Sequence, residues 1–189
     1  LEPKDIRSIA DLKMLPVLTK EKIRENKTQI MPKNLYSLNY SHNSTGGSTG
    51  QPLKYFLSKE DISRGTALLY RGWGYGGYRF GDKVANIGGS SLVPSSKYRL
   101  HLRLTEILRN VKHLSSYGMD YKTQMQYLYS LNKFQPQFIR GYASSIYTLA
   151  CFVRERSFRL KFQPIAVFTT SERLLERQRQ VIREVFMAD

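Results

Sequence analysis

Residues 43–52 read NSTGGSTGQP, a run in which Ser44, Thr45, Ser48 and Thr49 alternate with Gly46, Gly47 and Gly50. Glycine lets the backbone reach positive φ and come close to a ligand. Successive N–H groups in such a turn form a concave nest for an anion, and the hydroxyls add rotatable donors. A phosphate or pyrophosphate is the matching guest. The same residue types also build ordinary turns and linkers, so the flanks must decide. Two other phosphate loops are excluded. A nucleotide-triphosphatase P-loop needs Lys and then Ser or Thr after its last glycine, whereas Gly50 is followed by Gln51 and Pro52. The dinucleotide fingerprint begins at Gly74 and Gly76 but meets Arg79 at its third glycine.

Working outward, residues 35–40 and 53–57 read as strands, which places the glycine-rich run at a strand-to-strand turn. Residues 1–32 read as a helical or irregular approach broken by Pro3, Pro16 and Pro32, with Thr19 as cap of a short helix. Ser58, followed by Lys59, Glu60 and Asp61, opens a helix that ends by residues 72–77. Strands are expected at 83–87, 112–114, 137–140 and 165–169, and helices at 100–110 and 123–134. A helix carrying Ile146, Leu149, Ala150 and Val153 inward is capped by Ser144 or Ser145 after a turn at 141–144. A last helix is capped by Ser171 and turns Leu174, Leu175, Val181, Ile182 and Val185 to the core. Strands alternating with helices argue for an α/β architecture with much parallel sheet. In such sheets ligands gather at the carboxyl ends of the strands, so the turns at 88–91, 141–145 and 169–172 should border one crevice.

The composition fits one folded domain. Hydrophobic residues make up 41% of the 189, enough to build a core and too many for wholesale disorder. The single cysteine, Cys151, excludes an internal disulfide, fits a reducing cytoplasm and falls on an apolar helical stripe. No run is long and apolar enough to span a membrane. Thirty Lys and Arg against fifteen Asp and Glu give +15, a balance that suits nucleic acid or an anionic surface. The bases are dispersed over polar helical faces, however, and no nucleic-acid-binding motif accompanies them; specific nucleic-acid binding is not expected. Tyr117, Tyr121, Tyr127 and Tyr129 fall at spacings that read as core. His42, His101 and His113 lack metal-ligand spacing, and no metal site or catalytic triad is expected.

The run at 43–52 resembles the phosphate-binding loop of the adenylate-forming enzymes, the superfamily of acyl-CoA synthetases and luciferases. Thr45, Gly47, Ser48, Thr49, Gly50 and Pro52 match that loop; Gly46 replaces a Ser, and the basic residue comes one place late, as Lys54. Residues 11–23 (DLKMLPVLTKEKI) resemble the approach segment of the phenylacetate–CoA ligase-like branch. Residues 134–150 (FQPQFIRGYASSIYTLA) are similar to its Ile-x-Gly-Tyr-Pro-Ser segment, with Ala143 for Pro. Residues 164–186 resemble the strand, Ser/Ala-Glu turn and helix that follow, and the Gly-Tyr-x-Ser form is closest to the CapK-type subgroup associated with capsular polysaccharide biosynthesis.

The resemblance implies part of the large N-terminal domain of an adenylate-forming enzyme, an α/β fold with a mixed or parallel sheet and flanking helices. It implies attack of a small-molecule carboxylic acid on the α-phosphate of ATP, with Mg²⁺ on the phosphates, and then transfer to CoA. Thr45, Gly46, Gly47, Ser48, Thr49, Gly50 and Lys54 would hold the phosphates. Gly141, Tyr142 and Ser144 would wall the acyl pocket, and Thr170, Ser171 and Glu172 would form the loop beside the adenine. For Ser144, Ser171 and Glu172, helix capping and the helix dipole give a purely structural alternative. The superfamily's Tyr-Gly-x-x-Glu segment, ribose-binding acid and C-terminal lysine-bearing domain have no counterpart in the 189 residues. An internal fragment of a longer protein is therefore expected, with no catalytic residue of its own and dependent on the remainder of its chain. A non-catalytic nucleotide-binding relative in polysaccharide assembly is the alternative, and a basic nucleic-acid-binding module a more distant one.

Overall fold

The computed structural model describes residues 2–45, 52–89, 104 and 106–188. The chain divides into two compact units, Leu1–Gly65 and Thr66–Asp189.

In the first unit, Thr19 caps α1 (Lys20–Glu25) by accepting from the Lys22 N–H at 3.3 Å, as its sequence position suggests. A short α2 (Lys27–Ile30) follows. The strand expected at 35–40 is not there. Leu35–Ser37 is a tight 3-10 turn, because the Leu35 and Ser37 N–H groups bond back to the Pro32 and Asn34 carbonyls. Extended backbone begins at Tyr40, where β1 (Tyr40–Ser44) pairs antiparallel with β2 (Lys54–Ser58). Tyr40, His42 and Phe56 cluster on this hairpin, with the His42 and Phe56 rings 4.9 Å apart in directly opposed positions. A two-stranded ribbon is marginal alone, and such cross-strand ring contacts are what stabilise it. The glycine-rich run does join two strands, as expected.

The helix α3 (Lys59–Gly74) opens on a reciprocal bond: the Ser58 hydroxyl donates to Asp61 Oδ2 at 2.7 Å and accepts from the Asp61 N–H at 3.0 Å. The second unit is built on four parallel strands, β3 (Val84–Gly88), β4 (Val111–Ser115), β5 (Phe138–Tyr142) and β6 (Ala166–Thr170), in the order β4-β3-β5-β6. The helices α4 (Tyr121–Phe134), α5 (Ala143–Glu155) and α6 (Glu176–Phe186) alternate with them. Central β3 is buried throughout, as a strand covered on both faces must be. Alternation divides its side chains: Ala85 and Ile87 join the main core with Leu128, Ile139, Ile146 and Phe186. Val84 faces the other way with Tyr78, Phe138 and Ala166, against Trp73 and Phe168. Cys151 is half-buried against the main core.

Local signals explain some helix ends and mislead at others. Asp120 caps α4 by accepting from the Thr123 N–H at 2.8 Å, and its bonds to Thr123 hold its pKa below the usual carboxylate value. The expected turn at 141–144 is absent, because Gly141 and Tyr142 end β5 and Ala143 already begins α5. Neither Ser144 nor Ser145 occupies the cap position; Tyr142 does, and it makes no side-chain cap bond. Ser171 does not cap the last helix. It sits in the left-handed region at φ +64°, and α6 starts only at Glu176. Leu175 consequently stays 39% exposed instead of reaching the core. Tyr117, Tyr121 and Tyr129 are also exposed, at 70%, 57% and 61%; only Tyr127 is partly buried, and its hydroxyl donates to the Ser115 carbonyl.

Where β5 lies against β3, a Cβ on Gly141 would stand 2.1 Å from the Ile87 carbonyl oxygen. No side chain can be admitted without parting the strands. Gly141→Ala should therefore destabilise the protein by about 3 kcal/mol, the upper end for overpacking in a rigid core, read as a fall in the urea midpoint. An unchanged midpoint would contradict this packing.

Candidate functional site

Strand order locates the crevice. From β3 the chain moves outward to β4, whereas from β5 it moves the opposite way to β6. The carboxyl ends of β3 and β5 therefore flank a topological switch point, where open α/β sheets leave room for a ligand. The β3 end is Gly88–Gly89 and the β5 end is Gly141–Tyr142. Above Gly89 two phenols converge, since a Cβ there would lie 3.1 Å from the Tyr117 hydroxyl and 3.3 Å from that of Tyr142. Tyr117 is held at this place by the turn after β4, where its N–H donates to Ser115 Oγ at 3.1 Å. Ser90 and Ser91, also expected at this edge, lie outside the described residues.

The two turns singled out in the sequence meet at the same edge. Gly141 is paired with Thr169 and Tyr142 with Thr170 in the parallel ladder of β5 and β6. Beyond it, left-handed Ser171 turns the chain so that Glu172 faces the start of α5. Glu172 Oε2 accepts from the Ser144 N–H at 2.8 Å, and the Ser144 hydroxyl donates to Oε1 at 3.0 Å. The first turn of α5 lacks a local cap, and this carboxylate supplies one from 28 residues away, where the helix dipole favours negative charge. The first-turn position expected for Glu172 on its own helix is thus corrected: it serves the preceding one.

The phosphate-loop residues belong to the first unit. The Thr45 N–H donates to the Leu53 carbonyl, and Thr45 Oγ1 accepts from the Leu53 N–H, both at 3.0 Å. These two hydrogen bonds between Thr45 and Leu53 close the hairpin at the base of the glycine-rich run. Gly46, Gly47, Ser48, Thr49 and Gly50 lie outside the described residues. Lys54 is exposed and pairs with Ser44 in the hairpin register. It borders a largely apolar cavity of about 310 Å³ lined also by Ile23, Ile30, Leu35 and Phe56. His42 is exposed beside Phe56. Among the described residues, no cluster of three His, Cys, Asp or Glu side chains could hold a metal ion, and no helix is long and apolar enough to cross a membrane.

Sequence reasoning missed Tyr117, read as core, and the side chains below Tyr142 on the same face of β5. The alternation in VANIG and FIRGY would have put Asn86 and Arg140 on one face, had the pairing of those strands been visible.

No family model matches the chain. Over 181 residues, 95% of the chain, it is 33% identical to Protein CapK of Staphylococcus aureus. Among solved structures it resembles 2-hydroxyisobutyryl-CoA ligase in complex with 2-HIB-AMP and CoA. The thioesterification state of that enzyme superposes with a TM-score of 0.65 at 21% identity, and the open conformation with 0.64 at 19%, each covering the whole chain. The chain spans 39% of the length of CapK and 41% of that of the ligase. Its fold is that of the N-terminal domain of an acyl-CoA ligase.

Loss of the distant cap gives a direct check on this edge. Glu172→Ala should cost about 1 kcal/mol of stability, as for other lost caps. The double variant with Ser144→Ala should cost less than the sum of the two single changes, measured by urea unfolding. Strict additivity would show that the two residues do not act together.

Proposed function

We propose that this chain, a CapK-like member of the adenylate-forming superfamily, holds ATP and a carboxylic acid in an AMP-forming ligase. The acid's carboxylate attacks the α-phosphate of ATP, pyrophosphate leaves, and the acyl group of the adenylate passes to a thiol such as that of CoA. The observation that carries this reading is the carboxyl-edge constellation of Tyr142, Thr170 and Glu172 at a switch point, on a fold whose solved relative is described with an acyl-adenylate and CoA.

The chain's own groups have separable tasks. Backbone N–H groups from Gly46 to Gly50 and the hydroxyls of Thr45, Ser48 and Thr49 clamp the β- and γ-phosphates, Thr45 giving only its hydroxyl proton because its N–H already serves Leu53. Lys54, anchored opposite Ser44, adds positive charge at the base of that loop. Fixed donors of this kind stabilise charge that shifts between phosphate oxygens. Mg²⁺, carried on the triphosphate, would neutralise part of that charge. Gly141, Tyr142 and Ser144 wall the acid's side of the crevice. Thr170 and Ser171 face the nucleotide, while Glu172 fixes the start of α5 and so the direction of the Tyr142 ring. As a partial N-terminal domain it would depend on the remainder of its protein for the lysine of adenylation. Production of capsular or other extracellular polysaccharide is the setting that the CapK likeness suggests.

In the full-length protein, carboxylate-dependent ATP–pyrophosphate exchange should fall about 10²-fold in Thr49→Val and in Lys54→Ala, the scale for losing one preorganised phosphate or oxyanion donor. Exchange indifferent to both substitutions would remove the loop from the chemistry. ATP binding without exchange, across a broad panel of acids, would instead make the protein a nucleotide-binding relative without turnover.

A further inference from the structure

On the sheet face that carries Trp73, side chains form three levels. The first, near the amino ends of the strands, is apolar: Val84, Val111, Phe138 and Ala166. The last, at the carboxyl edge, is Gly88, Ser115, Tyr142 and Thr170. Between them lie Asn86, His113, Arg140 and Phe168, in register across the four strands. Two residues of strand separate the middle level from the edge, about 6.6 Å.

The middle of a parallel sheet is ordinarily apolar, so the neighbours Asn86 and Arg140 call for a reason. Asn86 is only 7% exposed, yet among the described residues its Oδ1 has no hydrogen-bond partner. Arg140 is half-buried, and among the described residues its Nε also lacks a partner and no carboxylate pairs with it. Its guanidinium lies 5.0 Å from the centre of the Trp73 ring, itself stacked on Phe168. Burial draws the Arg140 pKa below the usual arginine value, but a guanidinium stays charged at neutral pH. A ring face offsets only part of the loss of water around a cation. Among the described residues the face thus holds a cation without a counter-ion and a buried acceptor without a donor, one level beneath Tyr142 and Thr170.

We infer that Arg140 and Asn86 form the inner wall of the acid-binding crevice and recognise a second, anionic end of the substrate. The acid is then a short dicarboxylic acid: one carboxylate reacts at the edge, and the other is held by the Arg140 fork. This rests on the reading of the carboxyl edge as the acid site. Charge-assisted bonds from arginine to carboxylate are directional and roughly twice as strong as neutral ones. They would select such acids over fatty acids of equal length, which leave the guanidinium unpaired.

Equilibrium binding to the full-length protein tests this, with adipate and hexanoate as probes and ATP–pyrophosphate exchange followed in parallel. Adipate should bind in preference to hexanoate. Arg140→Met should weaken adipate by about tenfold or more and leave hexanoate unchanged or improved, while Arg140→Lys, which keeps the charge, should fall between. Equal binding of the two acids, or a ratio indifferent to Arg140→Met in a protein that melts normally, would overturn the inference. If Arg140→Met lowers the melting temperature and leaves selectivity intact, the arginine is a packing residue and the inference also falls. Should adipate bind through Arg140 while no acid supports exchange, the inference stands and the proposed ligase activity fails.

Discussion

The pairing of β5 with β3 is the contact on which the rest of the second unit depends. It is tight enough that the Ile87 carbonyl oxygen occupies the place of a side chain on Gly141. Hydrogen bonding then sets the parallel register from Val84 opposite Phe138 to Ile87 opposite Gly141. That register brings the end of β5 beside Gly89, so that the Tyr142 hydroxyl can approach it together with that of Tyr117. Because the chain leaves these two strands in opposite directions, their carboxyl ends form a topological switch point, the place where sheets of this kind take their ligands. A slip by one residue would exchange the two faces of β5, turning Arg140 toward Leu128 and Ile146 and losing Ile139 from the core.

The same constraint explains why β5 runs into α5 without a loop. Gly141 and Tyr142 are still in the ladder when Ala143 enters the helix, and a helix that starts so abruptly has no residue free to cap it. Glu172 fills that role from the end of the neighbouring strand, which ties the β5–α5 and β6–α6 junctions into one piece of the edge. The left-handed backbone of Ser171 is what turns Glu172 toward it. Under the proposed activity, one carboxylate thereby holds the acid wall and the nucleotide loop in fixed relation. Mutual orientation of this kind is what such reactions draw on most.

Features governed by near neighbours were legible in the sequence. The Ser58–Asp61 cap, the Thr19 cap and the inward stripe of α5 follow from residues three or four apart. The parallel strands were legible from short extended segments alternating with helical periods. The strand at 35–40 was misread because an apolar Leu35 in front of a tyrosine looks extended, whereas Pro32 and Asn34 accept the bonds of a tight turn. Nothing local marks Glu172 as the cap of another helix, nor Tyr117 as a companion of Tyr142, since both depend on strand neighbours far apart in sequence. Arg140 was hidden for the same reason: its exceptional position is visible only once Asn86, Phe168 and Trp73 surround it.

The central claim is that a ligand occupies the carboxyl edge around the β3–β5 switch point. Amide hydrogen exchange on the full-length protein, with and without a stable acyl-adenylate analogue, tests it most directly. Slowed exchange should concentrate at residues 115–118, 141–145 and 169–172. Protection confined to the opposite edge, around residues 129–133 and 158–161, with the switch point unaffected, would contradict the account.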